Sequence, residues 1–220
     1  MMTWAASLRR DSFFSCIIGR SILSVPAILS VPAILVAGCT TPPPAIQDPV
    51  VNSTIADDFA SRVPVDVAVL PVVDRTGREL PILDFVRERA VVELADRLYS
   101  PLARELVDSR VEKFPRTTPY DIDRVRNKMG EDAILAMSIT DFETSFLPAH
   151  RKIRMGGTVA LYHSSDGRLL WSRSIESKWI EVPRRIEPGA LRPAERDCVS
   201  EFVRFAFEDL PRKGVRGVRP

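Results

Sequence analysis

The chain has 220 residues, with 31 Lys and Arg against 29 Asp and Glu, 45% hydrophobic residues and three cysteines. The excess of positive charge belongs to the first 38 residues, which hold Arg9, Arg10 and Arg20 but only Asp11; past them 28 basic residues face 28 acidic ones, and a chain of zero net charge is no candidate for binding nucleic acid, which needs a basic surface. Three cysteines, one of them (Cys16) in that same segment, exclude a disulfide framework.

Residues 1–38 read as a signal peptide, with arginines ahead of an apolar core from Ser21 to Val36. Pro26 and Pro32 interrupt that core within a tandem Ser-Val-Pro-Ala-Ile-Leu repeat, and its length is at the short end of the roughly 17 to 25 residues a membrane span requires. Small residues then precede a cysteine. Val36, Ala37 and Gly38 before Cys39 resemble the lipobox of bacterial lipoproteins. That resemblance implies cleavage before Cys39, a diacylglyceryl thioether on its sulfur and acylation, palmitate included, of its new amino group. Each buried methylene contributes about 0.8 kcal/mol, so two or more chains hold a protein to a bilayer stably. Thr40, in place of an aspartate, implies by the proteobacterial sorting pattern passage to the outer membrane, with the domain facing the periplasm.

Residues 39–62 read as the lipidated cysteine and a tether carrying Pro42, Pro43, Pro44 and Pro49. In polyproline form, at about 3.1 Å per residue, it reaches up to roughly 70 Å. The folded domain is expected over residues 63–211. Val63 to Val73 is a near-continuous β-branched run, expected to be a central strand buried on both faces. Leu83, Val86, Ala90, Val91, Leu94 and Leu98 recur at helical spacing. Tyr99 to Ala103 predicts a short strand that Pro101 places at a sheet edge, and Arg104 to Phe114 a short helix. Thr118 as cap, Pro119 at the first helical position and Asp121 predict a helix carrying Ile122, Val125 and Met129, ended by Gly130.

Ala133 to Leu147 alternates as a long strand, but its apolar parity switches from odd to even positions, which predicts a bulge near Thr140 and Asp141. Met155, Val159 and Leu161 alternate in the next strand, Ser164 to Gly167 supplies a hairpin turn, and Leu169, Trp171 and Ile175 alternate in the last. Gly156-Gly157 marks a bulge or a close backbone approach. A final helix carries Val199, Phe202, Val203, Ala206 and Leu210 and stops at Pro211; residues 212–220 read as a basic disordered tail. The expected fold is a single α/β (α+β) domain, a mixed sheet with helices packed on it and a carboxy-terminal three-strand antiparallel meander.

Several phrases resemble segments of small envelope lipoproteins: Val67-Ala68-Val69-Leu70-Pro71, Asp132-Ala133-Ile134-Leu135 leading to Ile139-Thr140-Asp141-Phe142, and Asp166-Gly167-Arg168-Leu169-Leu170-Trp171-Ser172. The family they resemble is that of the neisserial-antigen-like lipoproteins of uncharacterised function, similar in fold to the curli secretion lipoprotein CsgG, the activators of penicillin-binding proteins and the amino-terminal domain of the Tol propeller protein. The resemblance covers Val63 to Trp179. It implies a non-enzymatic periplasmic domain that docks onto other envelope proteins or onto copies of itself.

A catalytic set is not found in the sequence. His150 and His163 have no third ligand at metal spacing, and no phosphate-cradling loop suggests a cofactor. Ser138, Ser145, Ser164 and Ser165 lack a nucleophile elbow. Cys198, among Val199, Phe202 and Val203, reads as a buried apolar residue. Asp141 and Glu143 share one side of a strand and are the one acid and base pair on which a cell-wall saccharide enzyme could be built; the alternative is a polar sheet face. Arg151, Lys152 and Arg154, with His150 and later Arg184-Arg185, form a candidate binding patch for cell-wall polymer or a partner. The functional expectation is a non-catalytic, membrane-anchored docking or assembly module, with a transporter accessory lipoprotein as the alternative.

Overall fold

The carboxy-terminal alternation resolves into the longest strands of the protein. In the computed structural model, which describes residues 49–111, 119–147, 150–181 and 191–214, Ala133–Leu147 (β5), His150–His163 (β6) and Leu169–Glu181 (β7) form the expected antiparallel meander. Upstream lie β1 (Val51–Ile55), β2 (Asp66–Val69), β3 (Val73–Asp74) and β4 (Ser100–Pro101). The described strands make one mixed sheet in the order β1-β7-β6-β5-β2-β4, with β3 also paired to β5; β2 is parallel to both its neighbours. The helices are α1 (Leu83–Asp96), α2 (Arg104–Val111), α3 (Ile122–Arg126) and α4 (Leu191–Ala206).

α1 and α4 cover one face of the sheet. Val86, Ala90 and Leu94 of α1 and Val199, Phe202 and Val203 of α4 pack onto Leu135, Leu161 and Trp171. Burying each large apolar side chain stabilises by about 1.5 to 3 kcal/mol. Phe207 joins the cluster with its ring 5.8 Å from that of Trp171. On the other face α2 and α3 cover only the parallel side of the sheet, where Val107, Val111, Val125 and Met129 meet Ala68, Leu70 and Ile134. The antiparallel side of that second face carries no helix among the described residues.

Four expectations change. The tether is read to residue 62, but Val51–Ile55 forms the outer strand β1, paired from Val51↔Ile175 to Ile55↔Trp171, and Phe59 is buried. β1 is mostly exposed, so it is recruited by backbone pairing with β7 and leaves no apolar alternation to read. Of the run from Val63 to Val73 only Val67 to Val73 is continuously buried, Val65 being 42% exposed; Pro71 interrupts its ladder and β2 lies one strand from the edge, with β5 and β6 central. Asp121, not Thr118, caps α3, its carboxylate accepting from Arg124 N at 3.2 Å; Thr118 lies outside the described residues. Leu98 does not join the buried stripe of α1: it is exposed, in a left-handed turn with φ 68°.

The parity switch in β5 corresponds to a bulge between Ile139 and Asp141. A second irregularity in the β6 to β7 register falls between Met155 and Gly157, at the same level. Gly156-Gly157 sits between them: a Cβ on Gly156 would collide with Glu176 O, and one on Gly157 would lie 2.5 Å from Ser138 O. Only glycine lets three backbones approach this closely.

Candidate functional site

The bulge decides what the polar residues of β5 and β6 do. After it, Glu143 pairs with Arg154 and Asp141 with Gly156, so both carboxylates fall on the sheet face opposite α4, beside the arginine. Arg154 Nε lies 2.7 Å from Asp141 Oδ2 and Arg154 Nη2 2.8 Å from Glu143 Oε2. The guanidinium also stacks over Trp179, 5.4 Å from its ring centroid. Lys152 Nζ is 3.7 Å from Glu181 Oε1. Asp141 and Glu143 of the candidate acid pair and Lys152 and Arg154 of the candidate basic patch therefore lie on one ion-paired surface. Arg151 belongs to β6 by its backbone, and Arg184 and Arg185 lie outside the described residues.

This arrangement suits contact better than proton transfer. Each carboxylate already accepts a guanidinium, and Arg154 answers two of them, leaving little net positive charge to attract an anionic polymer. What remains is an aromatic and cationic knob, Trp179 under Arg154, ringed by carboxylates.

From this knob the uncovered face continues as a floor of small side chains. Ser138 faces Thr158, and Thr158 faces Ser174, across β5, β6 and β7, with Ala136, Ala160 and Ser172 beside them. Thr158 Oγ1 and Ser174 Oγ are 3.3 Å apart. At the far end the floor deepens into a cavity of about 240 Å³, walled by Tyr120, Ile122, Tyr162 and Arg75. Burial pushes the Tyr162 hydroxyl above its ordinary value of 10.0. The face thus carries hydroxyls, two aromatic rings and a cation at its rim, over a flat base.

The other candidate residues are structural. His163 Nδ1 is 2.8 Å from Ser165 Oγ and 3.8 Å from Asp166 Oδ1. Serine and aspartate address the same ring nitrogen, so no relay runs from one to the other. The group closes the Ser164 to Gly167 hairpin, where Gly167 has φ 71°. Among the described residues no three His, Cys, Asp or Glu converge on a metal position, and no helix is long and apolar enough to cross a membrane. Burial, with Glu201, Asp197 and Glu195 nearby, pushes the Cys198 thiol up to about 11. Cys39 and Val36, Ala37 and Gly38 lie outside the described residues.

Sequence reasoning missed the buried charged groups Asp74, Arg87, Glu93 and Arg173, and the two arginines join separate elements. Arg87 of α1 is 2% exposed; its Nε and Nη2 donate to Val69 O at 3.0 and 2.7 Å and its Nη1 to Asp108 Oδ1 at 2.6 Å. It ties the end of β2 to α2. Arg173 of β7 is 6% exposed and pairs with Asp209 at 3.0 Å and Glu208 at 3.1 Å, its guanidinium 4.7 Å from the Phe205 ring. Neither pairing leaves a local pattern.

No protein-family model matches the chain, and no curated protein matches its sequence. Among solved structures it is similar to the PelC dodecamer from Paraburkholderia phytofirmans, with 13% identity over 73% of this chain and 95% of that one, at a TM-score of 0.48. It is also similar to the lipoprotein GNA1162 from Neisseria meningitidis, with 15% identity over 63% and 98%, at 0.45. A third is the LpoB carboxy-terminal domain from Salmonella enterica, with 12% identity over 56% and 93%, at 0.37. These are distant likenesses of fold, one of them to a protein described as a lipoprotein.

Proposed function

We propose that the protein is a lipoprotein anchored through Cys39 in the bacterial outer membrane, whose domain, reaching into the periplasm on the segment up to residue 50, docks and helps assemble an envelope complex. The observation that carries this reading is the β5-β6-β7 face on which no helix lies among the described residues. A flat floor of Ser138, Thr158 and Ser174 runs from an aromatic cavity to the Arg154 and Trp179 knob. Small side chains let another surface approach the sheet closely, and arginine and tryptophan are among the residue types most enriched where proteins grip one another.

Three experiments test it. Cys39→Ala should release a folded domain from the membrane fraction, and a variant still membrane-bound removes the anchor. Thr158→Trp, which fills the floor, and Trp179→Ala should each abolish in-cell cross-links to envelope proteins while circular dichroism is unchanged; cross-links that survive both variants remove this face from the proposal. Hydrolysis of peptidoglycan by the purified chain, lost when Asp141 and Glu143 are both alanine, would instead establish an enzyme.

A further inference from the structure

Among the described residues β1 bounds the sheet and pairs with β7 on one side only. Val50 O accepts from Glu176 N at 3.1 Å and Ala56 N donates to Leu170 O at 2.8 Å. By the two-residue period of an antiparallel ladder, Asn52 and Thr54 also turn their backbone groups towards β7, while those of Val51, Ser53 and Ile55 point outward. An outer strand normally carries a charge, a proline or a covering loop that stops it pairing further. Val51–Ile55 contains no charge and no proline. The opposite edge differs, since β4 has two residues and one is Pro101. Val50, 53% exposed, and Ile55, 45% exposed, leave apolar surface at both ends of β1.

The segment is also complementary to itself. When a second copy runs antiparallel to it about Ser53, Val51 faces Ile55 and Asn52 faces Thr54, apolar on apolar and polar on polar. The outward residues 51, 53 and 55 then all fall at hydrogen-bonded positions of the new ladder. A slip by one residue sets Val51 against Thr54 and turns outward groups away from their partners, and a slip by two keeps those groups paired but sets Val51 or Ile55 against Ser53, so the apolar match favours the register about Ser53. The five residues of β1 carry no charge, and the Asp209 carboxylate that each Ser53 hydroxyl holds beside the axis is paired with Arg173. Because Asn52 and Thr54 are on the uncovered face with Ser174 and Ser172, pairing also joins the two open floors into one.

We propose that two copies of this chain associate through β1, antiparallel and centred on Ser53, into a two-fold dimer with a continuous sheet. This inference is independent of the docking reading, because it concerns the sheet edge and not the floor, and each can fail alone.

Register-specific cross-linking tests it in the full chain. Residues 52 and 54 of opposite copies form a non-hydrogen-bonded pair with Cα atoms about 4.5 Å apart, inside disulfide range; residue 52 of one copy and 52 of the other are diagonal neighbours at roughly 7 to 8 Å. A mixture of Asn52→Cys and Thr54→Cys chains should therefore cross-link on mild oxidation, well above either variant alone or the unsubstituted chain with its native cysteines. Ile55→Lys, at an exposed position, should keep the fold by circular dichroism and reduce the mass in solution from two chains to one. A single-chain mass for the unsubstituted protein overturns the proposal, as does cross-linking no greater in the mixture than in either single variant, or an Ile55→Lys chain that keeps its doubled mass. An edge that captures a different protein in place of a second copy gives the first of these results.

Discussion

The guanidinium of Arg154 on β6 meets the Glu143 carboxylate, its direct partner on β5, at 2.8 Å. One ion pair thereby joins the two groups that a reading of the sequence assigns to separate chemistries, an acid pair and a basic patch. The joining depends on the bulge at Thr140, which resets the register by one residue before either side chain is reached.

Both partners are partly exposed, at 35% and 46% for the side chains, and such pairs contribute less than about 1 kcal/mol. A double-mutant cycle with Arg154→Ala and Glu143→Ala should return a coupling in that range that shrinks with added salt. Arg154→Ala should cost more than Glu143→Ala, because it also strips Asp141 of its partner and Trp179 of a cation, the latter worth about 0.5 to 1 kcal/mol. Equal single-mutant costs in urea titrations would show that Arg154 serves Glu143 alone.

Gly156 tests the backbone architecture behind that pair. Because a methyl group added there would collide with Glu176 O, Gly156→Ala has to push β7 away from β6 and should destabilise by about 3 kcal/mol or more. Gly130 has nothing within 4 Å and an ordinary φ, so Gly130→Ala should be neutral or stabilise by about 0.5 kcal/mol. Urea midpoints for the two variants decide it, and similar midpoints would mean that the close approach at Gly156 costs nothing to relieve.

Much of the meander was legible because its signals are local. Alternation, the parity change and the Ser164 to Gly167 turn each act over a few residues, and each has its counterpart in β5, β6 and β7. Long-range pairing is what local pattern does not carry. β1 is held by β7, some 120 residues along the chain, through backbone bonds that any sequence can make. Arg87 is buried by a carbonyl of β2 and a carboxylate of α2, neither of which its own helix spacing announces. The candidate site was half legible for the same reason: Asp141, Glu143 and Arg154 were visible as residues, and their mutual neutralisation was not.

Asp74 gives the fold a pH dependence with a definite sign. It is 7% exposed; burial alone would raise its carboxyl, but hydrogen bonds from Leu80 N at 2.9 Å, Thr76 Oγ1 at 2.7 Å and Thr76 N at 2.8 Å outweigh that and hold it below its ordinary value of 3.8. A depressed carboxyl contributes stability that is complete above the unfolded value and is lost as pH falls through the folded one. Asp74→Asn should therefore cost about 1 to 3 kcal/mol at neutral pH, since an amide nitrogen replaces an acceptor opposite a backbone N–H. The gap between variant and unsubstituted chain should narrow as pH drops below 3.8. A gap constant with pH in urea titrations would show that the ionised carboxylate is not what orders the loop.

Asp209 is the remaining test, because it joins the last helix to the sheet edge. Its carboxylate takes Arg173 at 3.0 Å, Trp171 Nε1 at 3.3 Å and the Ser53 hydroxyl of β1. Asp209→Ala leaves the nearly buried guanidinium of Arg173 with the Phe205 ring and, among the described residues, one carboxylate, that of Glu208, whose side chain is 65% exposed. Removing one partner of a buried pair costs about 3 kcal/mol when nothing replaces it; with Glu208 still present the expected loss is about 2 kcal/mol, against less than about 1 kcal/mol for Glu208→Ala. Since Ser53 loses its side-chain tie to the helical layer, amide exchange at Asn52 and Thr54, whose N–H groups face β7, should accelerate more in Asp209→Ala than exchange in the centre of β6. Uniform acceleration across β1 and β6 would mean that Asp209 stabilises the whole domain and does not pin its edge.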